Sequence, residues 1–426
     1  MRTLRNVFLG VLVSLVTCAV AEARSDVLTV GPAGDHPGIQ EALQAASDGD
    51  IVLVASDTYP GFEVDGLSVT VVAGRGETVE IDGTVSVRNL APGQRVVLSG
   101  LTWRTYSFTS PSFDVGLELA DNAGAVRVER CAIDPSQRDR VAAVTVTACD
   151  SVALAHCQLG GADSAILFEA FLPGTAALSV TDSVVSLQSC VLLGEVGGNG
   201  NIPSFGAHGL EGGPALEAVG SEVFVSGGSL TGGPGGSGAS CVFGTQGSGG
   251  PGGPAVRSTS STVTLRDVVL DPGAGGPGGT GSVSGCFDQG PSGLPGTEIE
   301  GDAVSTVAVA HRELLIDVPV EEASPFDVTV RGESGDLVAV LLNLAPAHAS
   351  LPAVSGPLLV GQSGPSPVVL LGTVPADGEL ALALVSPELR PGVPGATVFA
   401  QGMLRGADGS LVLANQVSLV VLAAGP

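Results

Sequence analysis

One motif recurs six times in the middle of this chain, and it constrains the fold more than any other feature. Each copy is eight residues long: apolar at positions one and three, small or apolar at six, apolar or aromatic at eight. The copies begin at Val96 (VVLSGLTW), Val126 (VRVERCAI), Val152 (VALAHCQL), Val185 (VSLQSCVL), Val223 (VFVSGGSL) and Val263 (VTLRDVVL), at spacings of 30, 26, 33, 38 and 40 residues. Another short strand precedes most of them, as in Gly116-Leu117-Glu118-Leu119 and Leu178-Ser179-Val180. Between the two lies a turn pair: Ala123-Gly124, Cys149-Asp150, Asp182-Ser183, Gly220-Ser221 or Ser260-Ser261. Alternation with a period of two marks strands, so each unit reads strand, tight turn, strand, bend, strand, loop. One such unit cannot bury its own apolar face, whereas stacked units bury a continuous one. The spacing varies because one loop per repeat absorbs the difference.

Composition agrees. The 426 residues include 63 Gly and 28 Pro, only 4% aromatics and 14% charged residues, with a mean hydropathy of +0.42. That hydropathy excludes a chain disordered through low hydrophobicity and high charge, and the missing Leu/Glu/Lys-rich windows exclude a helical bundle. The length allows more than one core. A net charge of −26 opposes nucleic acid and anionic membranes. Every basic residue is Arg.

At the N-terminus, Arg2 and Arg5 precede an apolar run from Val7 to Val20 and then Ala21-Glu22-Ala23. Charged start, short apolar run and A-x-A site are the parts of a secretory signal peptide, expected over 1–23. A membrane anchor is the alternative, and Leu15-Val16-Thr17-Cys18 approaches a lipoprotein box. The remainder has no run long and apolar enough to span a bilayer. A secreted or cell-surface protein, and a monomer, is expected.

The segment from His36 to Ala46 has helical apolar spacing, with Asp35 placed as N-cap and Pro37 in the first turn. It runs into Asp48-Gly49-Asp50, Ile51-Val52-Leu53-Val54 and Thr58-Tyr59-Pro60-Gly61. This order resembles the opening of right-handed parallel β-helix proteins of the pectate-lyase-like superfamily, where a short helix caps the open end of the stack. The resemblance extends over roughly residues 26–300. It implies a right-handed parallel β-helix solenoid over 24–302, in an all-β chain.

Three loops between later coils, 194–214, 232–254 and 273–296, are rich in Gly and Pro. The last two are near-copies, and equivalent placement in successive coils argues against a flexible linker. Such stretches can lie side by side as polyproline-II-like strands. Stacking also brings Cys241 and Cys286 together, and an exported protein meets an oxidising environment, which predicts a disulfide between them. Cys131, Cys157 and Cys190 occupy position six of consecutive repeats. This column reads as an internal ladder of small buried side chains rather than a metal or thiol site. Cys149 has no assigned role, and pairing within this group stays open.

From 303 to 426 the coils give way to short strands separated by turns such as Gly406-Ala407-Asp408-Gly409. That pattern predicts a C-terminal β-sandwich. The ending resembles a C-terminal module of secreted bacterial proteins.

Catalytic signals are sparse. The one region combining both charge signs with aromatics holds Asp114, Glu118, Asp121, Glu129, Arg130 and Asp134. Arg138, Asp139 and Arg140 follow, and Trp103, Tyr106, Phe108 and Phe113 precede. Pectate-lyase-like enzymes use a carboxylate cluster for calcium with an Arg base, and related hydrolases use paired Asp. No motif of a lyase, polygalacturonase or pectin esterase maps residue by residue onto this patch. His156 reads as an outward coil residue. The expectation is a non-catalytic protein with a structural, adhesion or surface-display role in the bacterial cell envelope. It has no cofactor, and its partners are extracellular polysaccharide or cell-surface components. The alternative is a polysaccharide lyase or glycoside hydrolase acting on an acidic polysaccharide, with Ca2+ in the lyase case.

Overall fold

The apolar positions of the repeat converge on a common axis. In the first copy Val96, Leu98, Leu101 and Trp103 are all fully buried, and Val126, Val128, Cys131 and Ile133 repeat the pattern one coil later. The structure, a computed structural model, describes residues 25–104, 116–134, 142–160, 172–200, 208–240, 246–280, 289–361 and 367–424. Strands stack in parallel, in-register ladders that make three faces. Face 1 comprises Val27–Val30, Asp50–Val54, Val69–Ala73, Arg95–Ser99 and residues 125–129, 151–155, 184–188, 222–226, 262–266 and 304–307. One column shows the register: Val96, Val126, Val152, Val185, Val223, Val263 and Val304 pair in succession. Face 2 runs from Asp57–Pro60 to Val269–Asp271, and face 3 from Glu63–Asp65 to Ile299–Gly301. The chain is thus a parallel β-helix. Each Val or Leu so buried contributes about 1.5–3 kcal/mol.

Two corners bracket face 1, and both use left-handed backbone. Between faces 3 and 1, Asn89, Asp121, Ala148, Asp182, Gly220 and Ser260 have φ between 48° and 61°. Between faces 1 and 2, Gly100, Arg130, His156, Ser189, Gly227 and Asp267 have φ between 52° and 74°. This second set is position five of the repeat, which is never apolar, and Asn, Asp and Gly tolerate this region best. Inside the first corner the side chains form a ladder. Asn122 donates to the Cys149 thiol at 3.5 Å, and the amides of Cys149, Ser183 and Ser221 donate to the next coil's hydroxyl at 3.0, 3.1 and 3.0 Å. Cys149, without a role in the sequence reading, belongs to this ladder.

Two boundaries differ from expectation. Strand Val304–Val307, placed by the sequence in a C-terminal unit starting at 303, pairs in parallel with Thr262–Arg266 and completes the last rung. Its Val alternation satisfies either setting, and only the pairing distinguishes them. The cap helix spans Ile39–Ala45 with Gly38 as N-cap. Asp35 does not cap it, but accepts from the Thr29 hydroxyl at 2.8 Å, because Pro37 and Gly38 stand between it and the first turn. Ile39, Ala42 and Leu43 of this helix close the open end of the core.

The three Gly/Pro loops order as a two-layered bundle. Outgoing strands 194–200, 232–240 and 273–280 lie beside one another: the amides of Gly194, Gly197 and Gly200 donate to the carbonyls of Thr231, Pro234 and Ser237, and Gly232, Gly235 and Gly238 repeat this onto the next coil. Returning strands form the second layer, with Gly209 and Gly212 bonded to Ser248 and Pro251, and Gly249 and Gly252 to Pro291 and Leu294. The layers exchange antiparallel bonds, such as Gly213 to Glu195 and Gly233 to Gly213. A period of three is that of polyproline II. In the triplet Gly232-Gly233-Pro234 one amide serves the neighbouring coil, the next serves the other layer, and Pro fills the place that needs no donor. Glycine is required at Gly233 because a Cβ there would fall on the Glu195 carbonyl oxygen.

The C-terminal unit is built from two β-sheets that share a core. Glu313–Ile316, Pro325–Arg331 and Glu379–Val385 form an antiparallel sheet. A larger sheet is centred on Gly395–Arg405 and Leu411–Leu422, with Leu337–Asn343 and Val368–Thr373 beside them. Leu314, Val328, Val338, Val398 and Leu419 share the core between the sheets. The outer side of the larger sheet lies on face 1, where Val97 meets Phe399 and Leu413, and Ile51 and Val72 meet Val420.

Gly233→Ala is expected to lower stability by about 2–4 kcal/mol in a denaturant titration. Gly160→Ala, where nothing lies within 4 Å of the added carbon, is expected to stay within about 0.5 kcal/mol of the parent.

Candidate functional site

The charged patch read from the sequence is distributed around the coil. Glu118 lies on face 3, ion-paired with Arg88 at 2.8 Å, and Arg88 reaches Glu63 at 3.2 Å. Asp121 is an exposed corner residue. Glu129 and Arg130 sit on face 1 and its corner, beneath the C-terminal unit. Asp134 belongs to the strand Ala132–Asp134 on face 2. Asp114, Arg138, Asp139, Arg140, Tyr106, Phe108 and Phe113 fall outside the described residues, as do Cys241 and Cys286. Trp103 does not border an open groove, because its side chain is fully buried in the coil core.

The densest polar constellation is instead the seam between face 1 and the C-terminal unit. Positions two and four of the repeat point outward there, yet Arg127, Glu129, Gln188, Ser226 and Arg266 are at most 3% exposed. Arg127 donates from Nε to the Gln416 amide oxygen at 3.0 Å and from Nη2 to the Ala347 carbonyl at 2.7 Å. Glu129 accepts the Ser418 amide at 2.9 Å and its hydroxyl at 2.6 Å. Arg266 donates to Ser226 Oγ at 2.7 Å and the Leu413 carbonyl at 2.9 Å, with its guanidinium 5.2 Å from the Phe224 ring centre. Burial lowers both Arg127 and Arg266 to about 10, which leaves them cationic near neutrality.

At one end of the seam Ser189, Ser226, His311 and Glu313 have the residue types of nucleophilic catalysis. Hydrogen-bond direction decides what they do. Glu313 Oε1, which can only accept, takes the Ser189 proton at 2.7 Å. Ser189 Oγ therefore accepts from His311 Nε2 at 2.8 Å, His311 Nδ1 accepts from Ser226 Oγ at 2.8 Å, and Ser226 Oγ accepts from Arg266 Nε. His311 is a donor toward Ser189 and so cannot act as its base; the chain is a latch between the two units. Burial first, then the Arg266 charge, pushes His311 down to about 4. Burial alone would raise the Glu313 carboxyl, but Ser189, His156 and Arg331 outweigh it and hold it below the ordinary carboxylate range. The left-handed φ of 52° at Ser189 belongs to the whole corner ladder and marks no special strain.

His156, read from the sequence as an outward coil residue, does point outward, onto this seam. Its Nε2 accepts from Asn415 at 3.3 Å and its Nδ1 lies 3.5 Å from Glu313. Sequence reasoning missed the grouping of His156, Ser189, His311 and Glu313. The polar column at position five was a usable signal for two of them; His311 and Glu313 come from another unit and carried none.

Cys131, Cys157 and Cys190 are free and buried, as the internal-ladder reading expected. Each thiol donates to its own coil's carbonyl and to one in the coil before; Cys157 reaches Ala155 and Val128 at 3.4 Å. A cleft of about 440 Å3 opens beside the seam, between Phe224, Thr264 and Val307 of the coils and His348, Leu351 and Ser410 of the C-terminal unit. No group of three or more His, Cys, Asp or Glu among the described residues could hold a metal ion. Nor is any described helix long and apolar enough to cross a membrane.

No protein-family model and no curated protein matches the chain. Among solved structures, the enzymatically active domain of bacteriophage CBA120 tailspike protein 2 is 10% identical, covering 90% of this chain and 73% of its own, with a TM-score of 0.26. The receptor-binding protein of bacteriophage Det7 is 10% identical over 92% and 97%, with a TM-score of 0.17. The superoxide reductase neelaredoxin from Ignicoccus hospitalis is 13% identical over 26% and 80%, with a TM-score of 0.16. Scores of this size support no inference about this chain, and the fold assignment stands on strand pairing.

Glu129→Ala leaves Arg127 without its nearest opposite charge and the Ser418 donors unmatched, so it is expected to cost about 3 kcal/mol. Glu118→Ala, on the open face, is expected to cost under about 1 kcal/mol in the same denaturant titration. In the native protein Cys131, Cys149, Cys157 and Cys190 are expected to resist a thiol reagent and to react once denaturant unfolds the coils.

Proposed function

We propose that this chain is a non-catalytic structural protein of the bacterial cell exterior, a rigid scaffold for adhesion or display. The observation that carries this reading is the glycine bundle. Three successive coils extend paired polyproline-II-like strands from the edge between faces 2 and 3, hydrogen-bonded within and between two layers. Such ordering spends sequence on backbone packing rather than on reactive side chains, and it fixes the points from which residues 201–207, 241–245 and 281–288 leave and return. Ser240 and Thr280 hydroxyls lie 3.4 Å apart at two adjacent exit points. This supports the proposed Cys241–Cys286 disulfide as a clasp across neighbouring loops. Face 1 adds support from another direction, since its outward side chains are bonded into the seam.

A second reading, a lyase or hydrolase acting on an acidic polysaccharide, draws on the open face 3. There Glu63, Arg88 and Glu118 alternate in adjacent coils. The Arg88 guanidinium lies between the two carboxylates and pairs with both, occupying the place a calcium ion would need.

The deciding experiment incubates purified protein with acidic and neutral polysaccharides, with and without calcium. Retention without new ends supports the scaffold. Unsaturated or reducing ends would sink it. Non-reducing peptide mapping is expected to recover Cys241 linked to Cys286.

A further inference from the structure

Three of the chain's five His residues, His156, His311 and His348, lie at the seam, and the geometry of each opposes a second proton. His311 uses both ring nitrogens: Nε2 donates to Ser189, and Nδ1 accepts from a Ser226 hydroxyl whose oxygen already accepts from Arg266. A proton on Nδ1 would meet that hydroxyl hydrogen, with the Arg266 guanidinium behind it. His156 accepts through Nε2 from the Asn415 amide, so a proton there would face another donor. His348 has a buried Nδ1 with no hydrogen-bond partner, and the charge it faces is Arg127.

We propose that the C-terminal unit is an acid-released cover: protonation of these three imidazoles opens the seam and lifts the unit off face 1 while the coil stack remains folded.

The surrounding charges set the direction. Asp267 and Glu313 favour a cationic His311, whereas Arg266 and His156 oppose it, and burial exceeds both; the ring is pushed down to about 4. Burial and then Arg127 push His348 down to about 4. For His156, burial outweighs Glu313 and Glu129, with Arg130 and Arg331 adding to burial, and its value is lowered. A group lowered in the closed form favours closure fully above its ordinary value of 6.5 and loses that contribution as pH falls toward 4. At pH 5, His311 and His348 each shift the balance about 30-fold toward the open form. The coils stack through backbone bonds and an apolar core in which no described His is buried. Opening would expose Arg127, Glu129, Gln188 and Arg266, a polar ladder hidden at neutral pH.

Hydroxyl-radical footprinting of the whole protein from pH 7.5 to 4.5 tests this. Phe399, fully buried at the seam, reports the cover, and Trp103, the chain's single Trp, reports the coil core. The expected result is Phe399 oxidised below about pH 5.5 with Trp103 still protected. Phe399 protected throughout, or Phe399 and Trp103 exposed at one midpoint as in global acid unfolding, would overturn the proposal. His311→Gln is expected to lower the Phe399 midpoint by about half a pH unit or more, with His36→Gln and His208→Gln unchanged; an unmoved midpoint in the seam variant also overturns it. Should His311→Gln not fold, His348→Gln leaves the His311 chain intact and serves the same comparison.

Discussion

Coil-on-coil hydrogen bonding in strict register carries this molecule. Each strand's amides and carbonyls are satisfied by the coil before and after it, so a side chain's direction is inherited along the stack. Val96, Val126, Val152, Val185, Val223, Val263 and Val304 form one column for that reason. A slip of one residue would turn every apolar side chain of a rung outward. From the coil at Val126 onward the left-handed corners protect the register by ending each strand at the same place, and most length variation is diverted to the edge between faces 2 and 3.

The glycine bundle continues the same arrangement in a different backbone conformation. Where the strands end, coil-to-coil bonding persists with a period of three instead of two. Glycine at the points of closest approach lets backbones meet, while proline occupies the place that donates nothing. The last coil also has Pro295 where the preceding one has the donor Gly252, and a donor-free position on an outer strand blunts further pairing. The bundle and the stack are therefore one hydrogen-bonded system.

The seam follows a separate logic. Face 1 turns outward both apolar side chains such as Val97 and Ala153 and long polar ones such as Arg127, Glu129 and Arg266, and the C-terminal unit buries both kinds. Burial of Arg127, Glu129 and Arg266 is tolerated because each finds specific partners in the second unit. The same enclosure leaves His156, His311 and His348 neutral, with donors or cations where a proton would go.

How much of this was legible depends on which atoms had to meet. The inward columns, the stacking, the thiol ladder and the lateral alliance of the glycine loops follow from periodicity, because a backbone repeating in space must repeat in sequence. Position five is never apolar, but its left-handed φ values are what identify it as a corner. The final rung at Val304 was not legible, since its alternation fits a sandwich strand as well as a coil. The outward residues of face 1 were not legible either: a polar side chain in an alternating strand reads as solvated, and only a second unit folding back over it makes it buried. By itself the sequence determined a stack of parallel coils, because one period specifies one set of neighbours. The tertiary structure alone decided that Ser189 meets His311 and that Glu129 meets Ser418. Those contacts join segments 122 and 289 residues apart and share no repeat that could record them.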